Sequence, residues 1–235
     1  MSPLILVRGL RYQYEDGTLA LNGVNFRLEK GETVALLGAN GSGKTTFALH
    51  LNGLLSGEGT VEVCGLPVNP KNIVEVRRKI GLVFQDSESQ LFMPTVLEDV
   101  AFGPLNHGLS PKQAAERAMA SLRQVGMSAA AGKAPYHLSA GEKKRVAIAG
   151  ILAVEPDILV LDEPTTFLDP PGQRALVQLL FALPQAKIVI THNMPFARAM
   201  CRRAVFFSHG VIAEEGSVEE MAQRYEWDFV APRTT

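Results

Sequence analysis

The sequence predicts an α/β protein, and three observations lead to this fold class. A glycine-rich segment, residues 38–46, fits the phosphate-binding pattern G-x-x-x-x-G-K-[ST] and directly follows the apolar run 34–37, as in a buried strand that leads into a loop and a helix. A second apolar run, residues 158–161, ends in two carboxylates. Between these segments, residues 87–150 are alanine-rich with helical patterning. We therefore expect an α/β core that carries an inserted α-helical subdomain.

Short strand-like runs separated by turn residues precede the glycine-rich segment. The turns Glu15-Asp16-Gly17 and Gly31-Glu32 predict an antiparallel β subdomain at the start of the chain. Later apolar runs are continuous, which is typical of strands covered on both faces by helices. Ser110 before Pro111 predicts a capped helix start. The predicted strands cover residues 4–8, 24–28, 33–37, 60–63, 80–85, 158–161 and 187–190, and the predicted helices cover residues 46–54, 111–122 and 142–149.

Composition limits the class of protein. A chain of 235 residues with 46% apolar residues can bury a sizeable core. A net charge of −1 with interspersed charges argues against a nucleic-acid partner. The apolar run near the start of the chain is too short for a signal peptide, and no run approaches the ~20 apolar residues that span a bilayer. We therefore expect any membrane role to depend on a partner, and the two cysteines, Cys64 and Cys201, to be reduced buried thiols.

The glycine-rich segment predicts a triphosphate site. Glycines let the backbone wrap around phosphate oxygens, and the following helix directs its positive end at the same anion. Lys44 is expected to reach the β- and γ-phosphates, and the Thr45 hydroxyl to contact Mg²⁺. The pattern itself fits ATP and GTP equally. The residues predicted to bind the nucleotide here are Gly38, Asn40, Gly41, Ser42, Gly43, Lys44, Thr45 and Thr46.

Two carboxylates follow the apolar run 158–161, where a buried strand surfaces. Asp162 is expected to hold Mg²⁺ directly or through water, and Glu163 to polarise the attacking water. Taken alone, such a pair is more often a solvated turn than a site.

A helix start is predicted at Leu138-Ser139-Ala140-Gly141-Glu142. Ser139 is expected to be the N-cap and Glu142 to complete a capping box. The same helix N-terminus is able to hold a second anion, which would be a γ-phosphate presented by another copy of the protein. The two interpretations are compatible.

The order of these motifs resembles that of the ATPase subunits of ATP-binding cassette (ABC) transporters, over residues 4–216. Besides the phosphate loop and the acidic pair, residues 138–142 match the family signature and Leu168-Asp169 match its D-loop. Gln85 matches the glutamine after the next core strand, and His192 matches the switch histidine. Six motifs in the right order make the match specific.

The resemblance implies the ABC ATPase fold on a P-loop NTPase core, with ATP and Mg²⁺ as cofactors. It implies a head-to-tail dimer, with this chain or a paralogue, in which each ATP lies between one phosphate loop and the partner's signature: Ser139, Ala140, Gly141 and Glu142. Glu163, His192 and Gln85 become the catalytic residues, while Thr45, Gln85 and Asp162 become the Mg²⁺ contacts. Tyr14 is similar to the family's adenine-stacking aromatic, although a strand-edge role for Tyr14 and a stacking role for Tyr12 stay open.

The chain departs from the commonest family pattern at four positions. Ala140 and Glu142 replace Gly and Gln in the signature, and Asn193 stands where Asp is usual. Phe167 replaces a small residue before Leu168-Asp169. Because Phe167 is large at an expected subunit junction, we expect it to affect the packing and communication across the dimer rather than the chemistry.

The segment 90–104 is polar, then apolar and aromatic, then acidic. Pro94-Thr95 predicts a helix start. The segment is also similar to the corresponding part of ATPases of energy-coupling factor importers. That resemblance implies that residues 85–104 contact a transmembrane scaffold, which works with an integral substrate-binding protein at the cytoplasmic face of the membrane. It favours uptake of cobalt or nickel ions, with biotin or another vitamin as the alternative.

The predicted organisation is one ATPase domain over residues 1–235. Residues 1–86 and 151–217 form the nucleotide-binding core, residues 87–150 the helical signature subdomain, and residues 218–235 a C-terminal tail. In that tail, Trp227 and Phe229 are expected to pack against the core or a partner. Two other classes stay open: a soluble ATPase of DNA repair, which would be expected to carry long heptad segments, and a non-hydrolysing regulator, which would be expected to lose Glu163 or His192.

Overall fold

The computed structural model describes residues 2–227, whose strands form two sheets. The strands are β1 (Ile5–Gln13), β2 (Leu19–Leu28), β3 (Thr33–Leu37), β4 (Glu58–Val63), β5 (Leu66–Pro67), β6 (Ile80–Val83), β7 (Ile158–Asp162), β8 (Ala186–Ile190), β9 (Arg203–Ser208) and β10 (Val211–Ser217). The helices are α1 (Lys44–Leu51), α2 (Ile73–Lys79), α3 (Val96–Asn106), α4 (Pro111–Gln124), α5 (Ala140–Leu152), α6 (Pro170–Ala182), α7 (Met194–Met200) and α8 (Val218–Arg224), with 3₁₀ turns at Ser128–Ala130 and Pro135–His137.

One sheet is antiparallel and the other is mainly parallel. The first has the strand order β2-β1-β4-β5, and the second has the order β10-β9-β3-β8-β7-β6. In the second sheet, β6, β7, β8, β3 and β9 run parallel, and β10 is antiparallel to β9. This architecture confirms the predicted fold class, including the antiparallel start and the helices between β6 and β7.

The parallel sheet is buried on both faces. One face packs on α1 and the antiparallel sheet through Phe47, Leu36 and Ile188, and the other face packs on the helices through Leu161, Val189 and Ile148. All five residues of β7 and of β8 are buried, which explains why these strands are continuous apolar runs rather than alternating ones.

The helix starts follow the expected capping chemistry. Ser110 and Ser139 each accept a hydrogen bond from the backbone N–H three residues later, and each completes a capping box. Thr95 forms a third capping box with Glu98, so Pro94-Thr95 does precede a helix. Helix α5 is longer than predicted, because apolar residues continue its buried face beyond residue 149 as far as Leu152.

Other boundaries differ from the predictions. Strand β1 extends to Gln13 and β2 begins at Leu19, whereas the predicted strands ended at residue 8 and began at residue 24. The added residues are mostly polar, and pairing between the two strands holds them in the sheet. Helix α1 ends at Leu51 rather than near residue 54. Cys201 is buried as expected, but Cys64 is only half-buried.

The end of the described chain packs on the core. Trp227 lies edge-on to Phe206 with ring centroids 5.3 Å apart, and Tyr225 stacks on the same ring. These contacts confirm the packing expected for Trp227, whereas Phe229 lies outside the described residues. Within residues 2–227, none of the helices has the length and apolar character needed to cross a bilayer. The subdomain boundaries drawn from the sequence stay predictions.

Candidate active site

Three neighbouring strands end at one edge of the parallel sheet, and each end carries polar residues. Strand β3 leads into the phosphate loop, β7 ends at Asp162, and β8 is followed by Thr191 and His192. Leu36 and Asp162 both lie in register with Ile190, the last residue of β8. Ligands of α/β proteins bind at the carboxyl ends of the strands, and here the fold brings residues more than a hundred positions apart into one cleft.

The phosphate loop requires its glycines. Gly38 has a φ of 135°, and a Cβ placed on it would lie 2.2 Å from the carbonyl oxygen of Phe207. Gly43 has a φ of 107°, and its Cβ would lie 2.6 Å from the carbonyl oxygen of Ala20. Gly43 is also the N-cap of α1 and supplies no side-chain cap. The first N–H groups of α1 therefore have no side-chain acceptor and fit an anionic ligand.

Lys44 is held inside this loop. Its ammonium donates to the carbonyl oxygens of Gly38 at 2.7 Å and Ala39 at 2.8 Å. Burial lowers the pKa of Lys44, and the nearby carboxylates of Glu163 and Asp162 oppose that shift. The cation thus lies between the loop and the acidic pair, where a triphosphate and its metal ion would bring compensating charges.

Thr45 and Asp162 form the candidate Mg²⁺ site. The Thr45 hydroxyl donates to a carboxylate oxygen of Asp162 at 2.9 Å. Burial raises the pKa of Asp162, and the hydrogen bond from Thr45 counteracts this effect. A hydroxyl and a carboxylate in contact provide the hard oxygen ligands that Mg²⁺ prefers, and Mg²⁺ usually takes only one or two protein ligands beside phosphate and water. These residues therefore fit the ion.

Glu163 is fixed by two neighbours from the end of β8. Its carboxylate accepts from Nδ1 of His192 at 2.7 Å and from the hydroxyl of Thr191 at 3.3 Å. Since a carboxylate only accepts, Nδ1 of His192 carries the proton. Glu163 itself has a φ of 44°, a conformation that costs a non-glycine residue about 1–3 kcal/mol. The carboxylate is therefore held in a defined place at the edge of the cleft.

The cleft brings most of the predicted nucleotide contacts together, but Gly38, Ser42 and His192 are not among the residues that line it. It has a volume of about 280 Å³ and is lined by residues from five parts of the chain: Tyr14, Thr18, Leu19, Ala20, Asn40, Gly41, Gly43, Lys44, Thr45, Thr46, Gln85, Asp162, Glu163 and Ile190. Tyr14 is 38% exposed, and its hydroxyl lies 3.0 Å from that of Thr46. Tyr12 packs edge-on against His50 instead. The geometry favours Tyr14 over Tyr12 as the adenine contact, because only Tyr14 lines the cleft.

A second cavity of about 340 Å³ contains the signature residues. Ser139, Ala140, Gly141 and Glu142 line it together with Leu168 and Asp169. Asp169 caps α6 by accepting from the N–H of Gly172 at 2.8 Å. The lining of this cavity shares no residue with the lining of the phosphate cleft, so the structure does not bring the predicted signature contacts to the chain's own phosphate loop.

Phe167 lines the signature cavity and is 77% exposed. Its φ is 65°, and it precedes Leu168, which packs on the core. The ring is therefore directed outward at the point where the sequence departs from the common family pattern.

Sequence reasoning missed several residues that support the site. Thr191 holds the Glu163 carboxylate, although its position between β8 and His192 was a possible signal. Asn193, noted from the sequence only as a departure from the family pattern, caps α7 by accepting from the N–H of Phe196 at 3.0 Å, a role that Asp fills equally well. Lys144 was also missed: it is 3% exposed, and burial lowers its pKa to about 8. Lys144 lies in a run of charged residues on α5, and nothing in that run indicates from the sequence that Lys144 is buried.

The strand–loop–helix phosphate site beside strand-end carboxylates is that of a P-loop nucleoside triphosphatase. The comparisons with known proteins narrow this class. The family model described as ABC transporter matches residues 21–166. A putative ABC transporter ATP-binding protein of Streptomyces avermitilis is 51% identical over 221 residues, which cover 94% of this chain and 84% of that protein. The chain therefore belongs to the ABC transporter family and is an ATPase subunit.

Two further similarities concern one branch of the family. The energy-coupling factor transporter ATP-binding protein EcfA of Methanosphaera stadtmanae is 45% identical over 227 residues, covering 94% of this chain and 82% of that protein. A structure of CbiO1 from Clostridium perfringens, described as part of the ABC transporter complex CbiONQ, aligns with a TM-score of 0.84 and 36% identity. That alignment covers 96% of this chain and 93% of CbiO1.

Proposed function

We propose that this chain binds Mg²⁺-ATP in the phosphate cleft and hydrolyses it to power an importer of the energy-coupling factor type, which takes up cobalt or nickel ions. The observation that carries the catalytic part is the Glu163 carboxylate, fixed by His192 and Thr191 in the same cleft as Lys44 and Asp162.

Each residue of the cleft has a distinct task in this proposal. The loop N–H groups and Lys44 bind the phosphates, and Tyr14 stacks on the base. Thr45 and Asp162 would hold Mg²⁺, which would supply positive charge beside the phosphates. Glu163 accepts the proton of the attacking water, and Gln85 orients that water. His192 is 62% exposed in its side chain, so its free edge is accessible to the γ-phosphate.

A second subunit completes the site. ABC ATPases dimerise and work with transmembrane components. Because the signature cavity and the phosphate cleft are lined by different residues, a head-to-tail pair would place the signature of each chain on the nucleotide of the other. The partner is a second copy of this chain or a paralogue.

The contact with the transmembrane scaffold is proposed at residues 85–104. Phe92 is 64% exposed and lies edge-on to Phe102, with ring centroids 5.1 Å apart. The buried carboxylate of Asp99 accepts from the N–H groups of Phe92 and Met93, which fixes the backbone that carries this exposed ring. Large exposed aromatics held in place are typical of a protein contact surface.

The importer subtype is supported by similarity to known proteins, whereas the ATPase chemistry is supported by the geometry of the cleft. The similarity to EcfA and to CbiO1 supports the energy-coupling factor type, and the resemblance of the segment 90–104 supports it from the sequence. The cargo does not touch the ATPase, so cobalt or nickel is proposed only from the resemblance, with biotin or another vitamin as the alternative. In this arrangement the chain lies peripherally at the cytoplasmic face of the membrane.

The test is to purify the chain from membranes solubilised in mild detergent and to identify the proteins that accompany it. We expect a polytopic scaffold, a small integral substrate-binding protein whose bound ligand names the cargo, and ATPase activity that Glu163→Gln abolishes. Recovery without a membrane protein, and with activity stimulated by DNA, would refute the transport role and support a DNA-repair ATPase.

A matched pair of variants tests the scaffold surface. Phe92→Ser removes an exposed ring from the proposed contact, whereas Phe181→Ser removes a ring that is 70% exposed on α6. We expect Phe92→Ser to lose the scaffold on purification and Phe181→Ser to keep it. Equal retention by both variants would contradict the assignment of this surface.

A further inference from the structure

A buried lysine connects the signature helix to the loop that carries Gln85. Lys144 is on α5, two residues beyond the signature, and is 3% exposed. Its ammonium donates to the carbonyl oxygen of Gln85 at 2.8 Å and to that of Phe84 at 3.3 Å. Burying a cation is costly unless it is hydrogen-bonded, so these two carbonyls both satisfy the lysine and are held by it.

Gln85 depends on its backbone for its position. It is an exposed residue lining the phosphate cleft, and within residues 2–227 its side chain makes no hydrogen bond. The far end of the loop is fixed separately, since the Gln90 amide accepts from the N–H of Phe84 at 2.9 Å and donates to the carbonyl of Leu82 at 3.2 Å. Gln90 does not hold the carbonyl oxygen of Gln85. That oxygen accepts its hydrogen bond from the ammonium of Lys144.

We propose that Lys144 is a positioning residue for Gln85: its ammonium fixes the Phe84–Gln85 backbone so that the Gln85 amide faces the nucleotide, and it ties that placement to the signature helix. Lys144 also lines the signature cavity, but in this scheme it acts through Gln85 and contacts no nucleotide. The inference rests on the proposed role of Gln85 in hydrolysis. It also means that the signature helix of each subunit positions Gln85 of that same subunit.

The variant Lys144→Met tests the proposal because it keeps an unbranched side chain of similar length and removes the ammonium. In the purified full-length chain we expect kcat for Mg²⁺-ATP to fall about tenfold to a hundredfold, the effect of removing hydrogen bonds to a charged group. The KM for ATP should stay within about twofold, because the phosphate loop is untouched. Lys144→Arg, which still donates, should recover part of the loss.

Lys187 offers a matched control. It is 4% exposed, and its ammonium also donates to two carbonyl oxygens, those of Leu183 and Gln185, each at 2.7 Å. These carbonyls lie between α6 and β8, away from the residues that line the cleft. Lys187→Met should lower the melting temperature about as much as Lys144→Met but leave kcat of the folded protein unchanged.

A double-mutant cycle separates this inference from the function on which it rests. If Lys144 acts through Gln85, Lys144→Met combined with Gln85→Ala should be no slower than Gln85→Ala alone. If Gln85→Ala leaves kcat unchanged, the proposed role of Gln85 fails. If Gln85→Ala lowers kcat but Lys144→Met lowers it no more than Lys187→Met, or if the two losses multiply, the positioning role of Lys144 is overturned.

Hydrogen exchange provides a readout that does not need turnover. The amides of residues 84–90 should exchange faster in Lys144→Met than in Lys187→Met, because only the first change frees that loop. Equal exchange in the two variants would overturn the proposal.

Discussion

Glu163→Gln should nearly stop ATP hydrolysis without disturbing the structure. Glutamine has the shape of glutamate, and its amide oxygen can still accept the hydrogen bond that His192 Nδ1 makes at 2.7 Å. The second bond, from the Thr191 hydroxyl at 3.3 Å, is long, so its loss would cost only about 1 kcal/mol. The free energy of unfolding should therefore change by no more than about 1 kcal/mol.

The loss of activity should be much larger. A positioned general base contributes on the order of 10²–10⁴-fold, which corresponds to about 3–5 kcal/mol of activation free energy. An amide accepts no proton at neutral pH, so the whole of this contribution disappears. The ATP dissociation constant should stay within about twofold, because Lys44 and the phosphate loop are unchanged.

The assay is phosphate release by the purified chain with Mg²⁺-ATP, together with ATP binding by calorimetry and thermal unfolding of each variant. Glu116→Gln, an exposed glutamate on α4, is the control for a change of one charge. If Glu163→Gln keeps more than about a tenth of the wild-type kcat, Glu163 is not the general base. A parallel loss of ATP binding would instead show that the carboxylate holds the nucleotide.

Three further predictions concern the phosphate cleft. Lys44→Ala should weaken ATP binding about tenfold to a hundredfold in calorimetry, because a charge-assisted contact to phosphate is lost; unchanged affinity would exclude that contact. Tyr14→Ala should weaken binding by about 1–3 kcal/mol through lost base stacking, while Tyr14→Phe should bind normally, and equal affinities of the two variants would contradict stacking. Gly38→Ala should lower the free energy of unfolding in urea by about 1–3 kcal/mol, because its Cβ would lie 2.2 Å from the Phe207 carbonyl oxygen; Gly41→Ala, with open space around its Cβ, should cost less, and an equal cost for both would refute the steric argument.

Some strands could not be predicted because their signal is ambiguous. Strand β9 (Arg203–Ser208) lies between β3 and the edge strand β10 in the second sheet, and four of its six residues are buried. Its short apolar run is equally compatible with a buried helix segment. Strand β10 mixes apolar and charged residues and is fixed by antiparallel pairing with β9, which is a long-range contact rather than a local preference.

The two helices after the acidic pair differ in how far the local sequence predicts them. Helix α6 begins at Pro170-Pro171 behind an Asp169 cap, a start signal that the sequence contains. Helix α7 has only seven residues and is stabilised by burying Met194, Phe196 and Met200. A helix that short is marginal by propensity, so packing decides whether it forms.

The sequence by itself determined the α/β class, the phosphate loop, the acidic pair after a buried strand and the capped signature helix. These features depend on local spacing: apolar runs specify buried strands, glycines permit a left-handed backbone, and a serine three residues before a glutamate specifies a cap. Each of these features can be recognised from one short stretch of sequence.

Only the tertiary structure decided which of these residues meet. The contacts of Thr45 with Asp162, of Glu163 with His192 and of Lys144 with the Gln85 carbonyl join residues 117, 29 and 59 positions apart. They form because adjacent parallel strands end at one edge of the sheet and α5 packs against the loop beyond β6. Such contacts follow from strand order and helix packing, and neither property is encoded in the spacing of any one motif.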